Sequence, residues 1–237
     1  MPNCAGKRTR HVARRRARAP SRVRAQCEKS RERGKMALFA GGTEMDAQST
    51  PKDDEAVIAA MRTWVEKAVI GLNLCPFARS VYVAEQVRFV VSRAPHLDGF
   101  LETLDSELDF LAAADPQTLD TTLLMAPELF ADFDVFNEVA GIAEEAVIEH
   151  ELEGILQVAS FHPQFRFDGV PEDDVSNYTN RAPFPTLHLI REASLERALA
   201  HVPDPDAIYQ RNIALLREMG MEGWKKLGIP VFIPPAG

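Results

Sequence analysis

Between residues 81 and 161 three short apolar runs alternate with two helical stripes, and that alternation restricts the chain to an α/β arrangement. In 81–91, Val81, Val83, Val87, Phe89 and Val91 fall mostly at alternate positions, which predicts a strand. Asp98 is placed to cap a helix whose Leu101, Leu104, Leu108 and Leu111 form one stripe, with Pro116 beyond its end. Residues 121–126 (TTLLMA) read as a short buried strand closed by Pro127. Phe133, Phe136, Val139, Ala140, Ala143 and Val147 mark a second helix ending near Gly154, and 155–161 (ILQVASF) a third strand. Two strand, helix, strand passages predict right-handed crossovers in a largely parallel sheet.

The flanks add helices. Thr50 as cap, Pro51 at the first helical position and Asp53 and Asp54 in the first turn open a helix. Its buried face is Val57, Met61, Trp64, Val65, Ala68 and Leu72. Gly71 and Asn73 let it end and Pro76 forbids its continuation, so Cys75 lies just past its C-terminus. After Phe161 comes a polar segment without periodicity, from His162 to Pro185, which reads as a functional loop. Pro185 then opens a short helix holding His188, Arg191 and Glu192, with a strand over TLHLI as the alternative. Ser194 and Asp204 with Pro205 open two further helices, the second carrying Ile208, Leu215, Leu216 and Met219. No internal repeat and no second hydrophobic core is evident. The expectation is a single α/β domain over 50–237, with a small, largely parallel sheet flanked by helices and a helical C-terminal part.

The net charge of −8 combines two opposed segments. Residues 1–35 hold 13 of the 27 Lys and Arg, with only Glu28 and Glu32 as acids, which leaves 14 basic against 33 acidic residues in the body. A body near −19 repels phosphates and anionic lipid, so neither nucleic acid nor a membrane surface is expected as its partner. Residues 1–49 form a basic leader too poor in apolar residues to pack, expected to be disordered. It is read first as an upstream start assigned to GC-rich DNA, with Met36 and Met45 as alternative starts; a nucleic-acid-binding arm and a transit peptide are the other readings. Cys4 and Cys27 fall in it, leaving Cys75 alone in the domain, a usage that suits a reducing, cytoplasmic compartment.

In open α/β sheets ligands bind beyond the carboxyl ends of the strands. His162 follows the third strand there, and Asp168, Asn177, Asn180 and Arg181 belong to the loop that begins at that edge. Each has more than one reading. Cys75 is a small buried side chain, a reactive thiol or a metal ligand. His162 fixes the loop, acts as a base or holds a metal. Asn177 and Asn180 form side-chain turns or touch substrate. Arg181 binds a carboxylate or phosphate, or pairs with Asp173 or Asp174. No CxxC, HxxxH or HExxH spacing joins Cys75, His162 and His188 into a zinc site, and neither a phosphate loop, a dinucleotide fingerprint nor a serine elbow is present. No metal and no cofactor is therefore expected.

The segments GLNLCPFA (71–78), SFHP (160–163) and NYTNRAPFPTLHLIRE (177–192) resemble an uncharacterised bacterial family, domain of unknown function 1415. The resemblance covers 57–230 and none of the leader. It carries no activity; it implies a bacterial setting and favours Cys75, His162, Asn177, Asn180, Arg181 and His188 as site residues. Two classes of function stand. In the first, an enzyme acts on a small polar or anionic metabolite: Cys75 or His162 does the chemistry, Asp168 fixes the His162 tautomer, and Asn180 and Arg181 hold an anionic group, with Asn177 and His188 as further substrate contacts. In the second, a ligand-binding or interaction protein uses the same residues without reaction. Oligomeric state has no signature in the pattern. Joint chemistry requires Cys75, His162 and Arg181 in one cleft at the carboxyl edge, although a loop preceding the first strand emerges at the amino edge of a simple parallel sheet.

Overall fold

The computed structural model describes residues 53–200 and 204–232. The basic leader, and Thr50 and Pro51 at the expected helix opening, lie outside the described residues. Helix α1 (Asp54–Trp64) is capped by Asp53, whose carboxylate accepts from the Glu55 amide at 3.1 Å. It continues as a wider π-helical stretch, Val65–Ile70. Helix α2 (Ala78–Val83) then takes the place of the expected start of the first strand, and β1 is confined to Val87–Val91. The valines at 81 and 83 alternate without a sheet face to bury them: Val83 is 73% exposed, and Glu85 turns the chain through a left-handed φ of 58° before the strand.

Helix α3 (Leu97–Ala113) is capped by His96, whose Nδ1 accepts from the Gly99 amide at 3.3 Å; Asp98, the expected cap, sits in the first turn instead. Strand β2 (Thr121–Met125), helix α4 (Phe133–Glu149) and strand β3 (Leu156–Phe161) follow as anticipated. The long segment holds a short 3₁₀ turn, Val175–Thr179. TLHLI is a strand, not a helix: β4 spans Thr186–Arg191. Helices α5 (Glu192–Leu199) and α6 (Pro205–Lys226) complete the fold, α6 breaking direction at Gly220, where φ is 63°.

The sheet order is β1-β2-β4-β3. Only β1 and β2 pair in parallel; β4 runs antiparallel to both of its neighbours, so the sheet is mixed and not largely parallel. The two crossovers do keep β1, β2 and β3 running in one direction. The second, however, sets β3 one strand-width beyond β2, and the loop after β3 returns the chain from the carboxyl edge into that gap. A strand entering from that edge must run backwards.

Side chains alternate across the sheet, and each face carries its own apolar cluster. Leu124, Leu156, Leu187 and Leu189 pack with Phe100, Leu104 and Phe136 of α3 and α4. Leu123 and Met125 pack with Met61, Trp64 and Leu216 of α1 and α6. The two clusters are the two sides of one sheet, which is why β2 is buried at every position and its sequence is a continuous run without alternation. At the end of β4 the buried Arg191 donates to the carbonyls of Leu111, Ala114 and Leu119 at 2.5, 2.7 and 3.1 Å, satisfying the C-terminal end of α3. Among the described residues no helix is long and apolar enough to cross a membrane.

Candidate functional site

The face of the sheet turned toward α1 and α6 is incompletely filled. A cavity of about 990 Å³ lies over it, floored by Thr121, Leu123, Ala159, Phe161, His188 and Ile190. The register sets its extent: Thr121 opposes Ile190 at the amino edge of β2, and Phe161 opposes Thr186 at the carboxyl edge of β3. Trp64, Val69 and Cys75 form one part of the wall, and Leu195 and Ile208 from the last two helices another. Most of the lining is apolar, which suits the enclosure of a small organic molecule.

Cys75 reaches this wall through the irregular end of the first helix. The π-helical turn lets the Cys75 amide bond back to the Val69 carbonyl at 3.3 Å, and Asn73 takes a left-handed φ of 55°. Helix α6 holds the turn in place. Arg211 donates to the carbonyls of Leu72 and Asn73 at 2.9 and 2.8 Å, and Asn212 donates to that of Leu74 at 2.7 Å. These carbonyls belong to the turn beyond the helix, where no backbone amide among the described residues bonds them. Helix α2 is tied to the same wall by Tyr82, whose hydroxyl donates to Glu66 at 2.6 Å; burial, then the Glu66 carboxylate, raises the Tyr82 pKa.

His188 stands in the floor. Its Nε2 lies 2.6 Å from the Thr121 hydroxyl, whose oxygen lies 2.6 Å from the Leu189 carbonyl. A carbonyl only accepts, so the Thr121 proton goes to Leu189 and Nε2 carries the imidazole proton. Nδ1 is then the unprotonated nitrogen, and it has no partner among the described residues. Burial among apolar groups lowers the His188 pKa to about 4, so the ring is neutral at physiological pH. Asp120, which also lines the cavity, is 7% exposed and accepts a hydrogen bond from the Ser194 hydroxyl; Ser194 accepts from Arg197 at 2.9 Å.

A family model described as "Protein of unknown function (DUF1415)" matches residues 56–226. The chain belongs to this family. No curated protein and no solved structure matches it.

Of the residues singled out in the sequence of this DUF1415 chain, Cys75, Asn180 and His188 line the cavity. His162, Asp168, Asn177 and Arg181 are not among its lining residues. His162 is fully buried on the opposite side of the sheet, its ring 5.5 Å from that of Phe133 and 5.4 Å from that of Phe136. Its Nε2 donates to the Phe130 carbonyl at 2.8 Å and its Nδ1 accepts from the Gln164 amide at 3.0 Å. Both nitrogens are occupied by backbone, which fixes the tautomer without Asp168; that residue is exposed in the turn before Gly169. Burial lowers the His162 pKa to about 4.

The asparagines and the arginine of the NYTNR motif hold the loop. Asn177 is fully buried, accepting from the Phe167 amide at 3.0 Å and donating to the Pro171 carbonyl at 2.8 Å. Asn180 donates to the Ser160 carbonyl at 3.4 Å. Arg181 donates to the carbonyls of Phe165 and Glu172 at 2.9 and 2.7 Å and lies over the Tyr178 ring at 4.6 Å. It does not pair with Asp174, which instead accepts from Arg217 at 2.7 Å; that guanidinium and the Ser176 amide hold the Asp174 pKa well below the usual carboxylate range. The cavity wall thus carries His188 and Cys75, and not His162 or Arg181. The sequence reading missed Asp120, Thr121 and Ser194, which carry no motif: an Asp-Thr pair before an apolar run reads as an ordinary strand start. Among the described residues no cluster of three or more metal-ligating side chains occurs.

Proposed function

We propose that this protein binds a small organic metabolite in the cavity over the sheet, with His188 as its hydrogen-bond-accepting group and Cys75 as a thiol on the same wall. The observation that carries this reading is the neutral imidazole of His188, with an unpartnered Nδ1, set in the floor of an apolar cavity of about 990 Å³. An unpartnered acceptor on the wall of an apolar cavity is the kind of polar group that orients a bound ligand. The expectation of an anionic group held by Arg181 loses its support, since that guanidinium is committed to loop carbonyls.

The catalytic reading uses the same atoms. The Cys75 thiol, as thiolate, is the nucleophile, and the imidazole that burial keeps neutral orients the substrate through Nδ1. What favours it is the presence of a thiol and a hydrogen-bonding imidazole on the wall of one cavity. We read the single cysteine of the body as suited to a reducing, cytoplasmic setting. The acidic body disfavours nucleic acid and anionic membranes as partners.

Ala159 lies on the cavity floor opposite His188 in the β3–β4 pair, so Ala159→Phe fills the space beside that imidazole without removing a polar group. In a thermal-shift screen of small metabolites, some compounds raise the Tm of the unaltered chain and none does so for the Ala159→Phe variant. A screen with no stabilising compound, or with the same compounds stabilising both proteins, removes the cavity as the site.

A further inference from the structure

The polar groups of the cavity are unbalanced. Around Asp120 and His188 several donors are committed within the protein: the Ser194 hydroxyl to Asp120, one Arg197 N–H to Ser194, the Thr121 hydroxyl to the Leu189 carbonyl and one Gln86 N–H to the Gln117 carbonyl at 2.5 Å. Three acceptors of the cavity wall are not. Asp120, a residue 7% exposed, uses Oδ1 for Ser194, and its Oδ2 has no partner among the described residues. His188 leaves Nδ1 as an acceptor, and Asn212, also on the wall and 7% exposed, leaves Oδ1 without a partner. Against these three acceptors the buried donor left over is the indole N–H of Trp64.

A carboxylate facing an apolar cavity with one hydrogen bond retains acceptor capacity for a ligand's donors. Arg197 offsets its charge weakly: it is exposed, its amino group bonds the Ser194 oxygen and not the carboxylate, and solvent screens it. A ligand nitrogen with several N–H donors and a positive charge supplies what is missing, through charge-assisted bonds that a neutral or anionic head cannot make.

We infer that the cavity takes a ligand with an apolar body ending in a cationic nitrogen, a primary amine or a guanidinium, seated on Asp120 and His188. This rests on the cavity being the functional site, and it reverses the expectation of an anionic metabolite. Both acceptors line the one cavity: Asp120 immediately precedes Thr121, whose hydroxyl bonds His188. The rest of the wall, with Val69, Leu195 and Ile208, accommodates the apolar body.

The test is calorimetric titration of the full chain with two matched series: phenethylamine, phenethyl alcohol and hydrocinnamate, and hexylamine, hexanol and hexanoate. The amines bind at least about tenfold tighter than the alcohols and acids of their own series, the ratio expected of one charge-assisted bond. Asp120→Asn removes that preference while the alcohols bind as before. Ser194→Ala keeps the carboxylate and retains the preference, so it serves as the folded control if Asp120→Asn lowers the Tm. Alcohols or acids binding as tightly as amines leave the cavity as a site but overturn the cationic head. So does an amine preference that survives Asp120→Asn or vanishes in Ser194→Ala. If no compound of either series binds, the inference and the cavity reading fall together.

Discussion

His188 and Thr121 meet diagonally across the β2–β4 pair, with the imidazole Nε2 2.6 Å from the threonine hydroxyl. Because that hydroxyl is held by the Leu189 carbonyl, a single side chain decides which ring nitrogen bears the proton and which faces a ligand. The arrangement depends on β4 running antiparallel between β2 and β3. A parallel strand there would put a different residue beside Thr121.

Thr121→Val removes the acceptor for the Nε2 proton and leaves the side-chain shape nearly unchanged. The imidazole then samples both tautomers, which nitrogen chemical shifts of His188 report directly. A spectrum in the variant that still shows Nε2 alone protonated contradicts the relay. The loss of one buried hydrogen bond lowers stability by about 1 kcal/mol.

Acid should destabilise this fold well above the usual carboxylate range. His162 and His188 both have folded pKa values lowered to about 4 by burial, against an ordinary value of 6.5. Asp132 opposes the shift at His162 and Arg181 reinforces it. The unfolded chain takes up these protons as pH falls through 6.5 while the native state does not, so stability present above pH 6.5 is lost between there and about 4. The loss approaches about 3 kcal/mol for each residue. His150 works in the other direction. Burial alone would lower its pKa, but Asp109 at 2.8 Å and Asp105 at 3.2 Å outweigh it and raise the value. Its contribution is complete below 6.5 and fades as pH rises through the raised value. Urea titrations from pH 7.5 to 4 should therefore fall steeply on the acid side, and His162→Gln should flatten the slope. An unchanged slope in that variant means that His162 is protonated in the native state.

Which parts of this fold were legible follows from how local their causes are. The two helical stripes and the runs at 121–126 and 155–161 are set by periodicity within one element, and they stand where the sequence put them. The direction of β4 is not local. It depends on β3 leaving a gap beside β2, a packing choice with no signature in TLHLI itself. The motif residues were legible as a set but not in their roles: an Asn or Arg amid glycine and proline reads the same whether it bonds a substrate or a loop carbonyl. Asp120 and Ser194 become a pair only because α5 returns to the start of β2, 74 positions away in sequence.

Thr122, next to the site, faces away from the cavity. It is fully buried in β2 and its hydroxyl has no partner among the described residues. Thr122→Val replaces that hydroxyl with a methyl of the same shape and should stabilise the protein by about 1 kcal/mol or more, read as an increase in the urea midpoint at constant m. A decrease would show that the hydroxyl is hydrogen-bonded in solution.

Arg181 separates a loop-holding role from substrate binding most cleanly. Its guanidinium reaches two carbonyls, those of Phe165 and Glu172, and covers the Tyr178 ring, which in turn packs at 4.8 Å on Trp224 of α6. A lysine keeps the charge but not the fork, so Arg181→Lys leaves at least one of those carbonyls without its donor. If the residue only holds the loop, the variant loses about 1–3 kcal/mol of stability and amide exchange speeds up over 165–181. The affinity of a cavity ligand then changes little once the Tm is matched by temperature. If Arg181 instead bound an anionic substrate, affinity would fall while exchange in the loop stayed as it was. The two outcomes are opposite in both observables, and the hydrogen bonds to Phe165 and Glu172 predict the first.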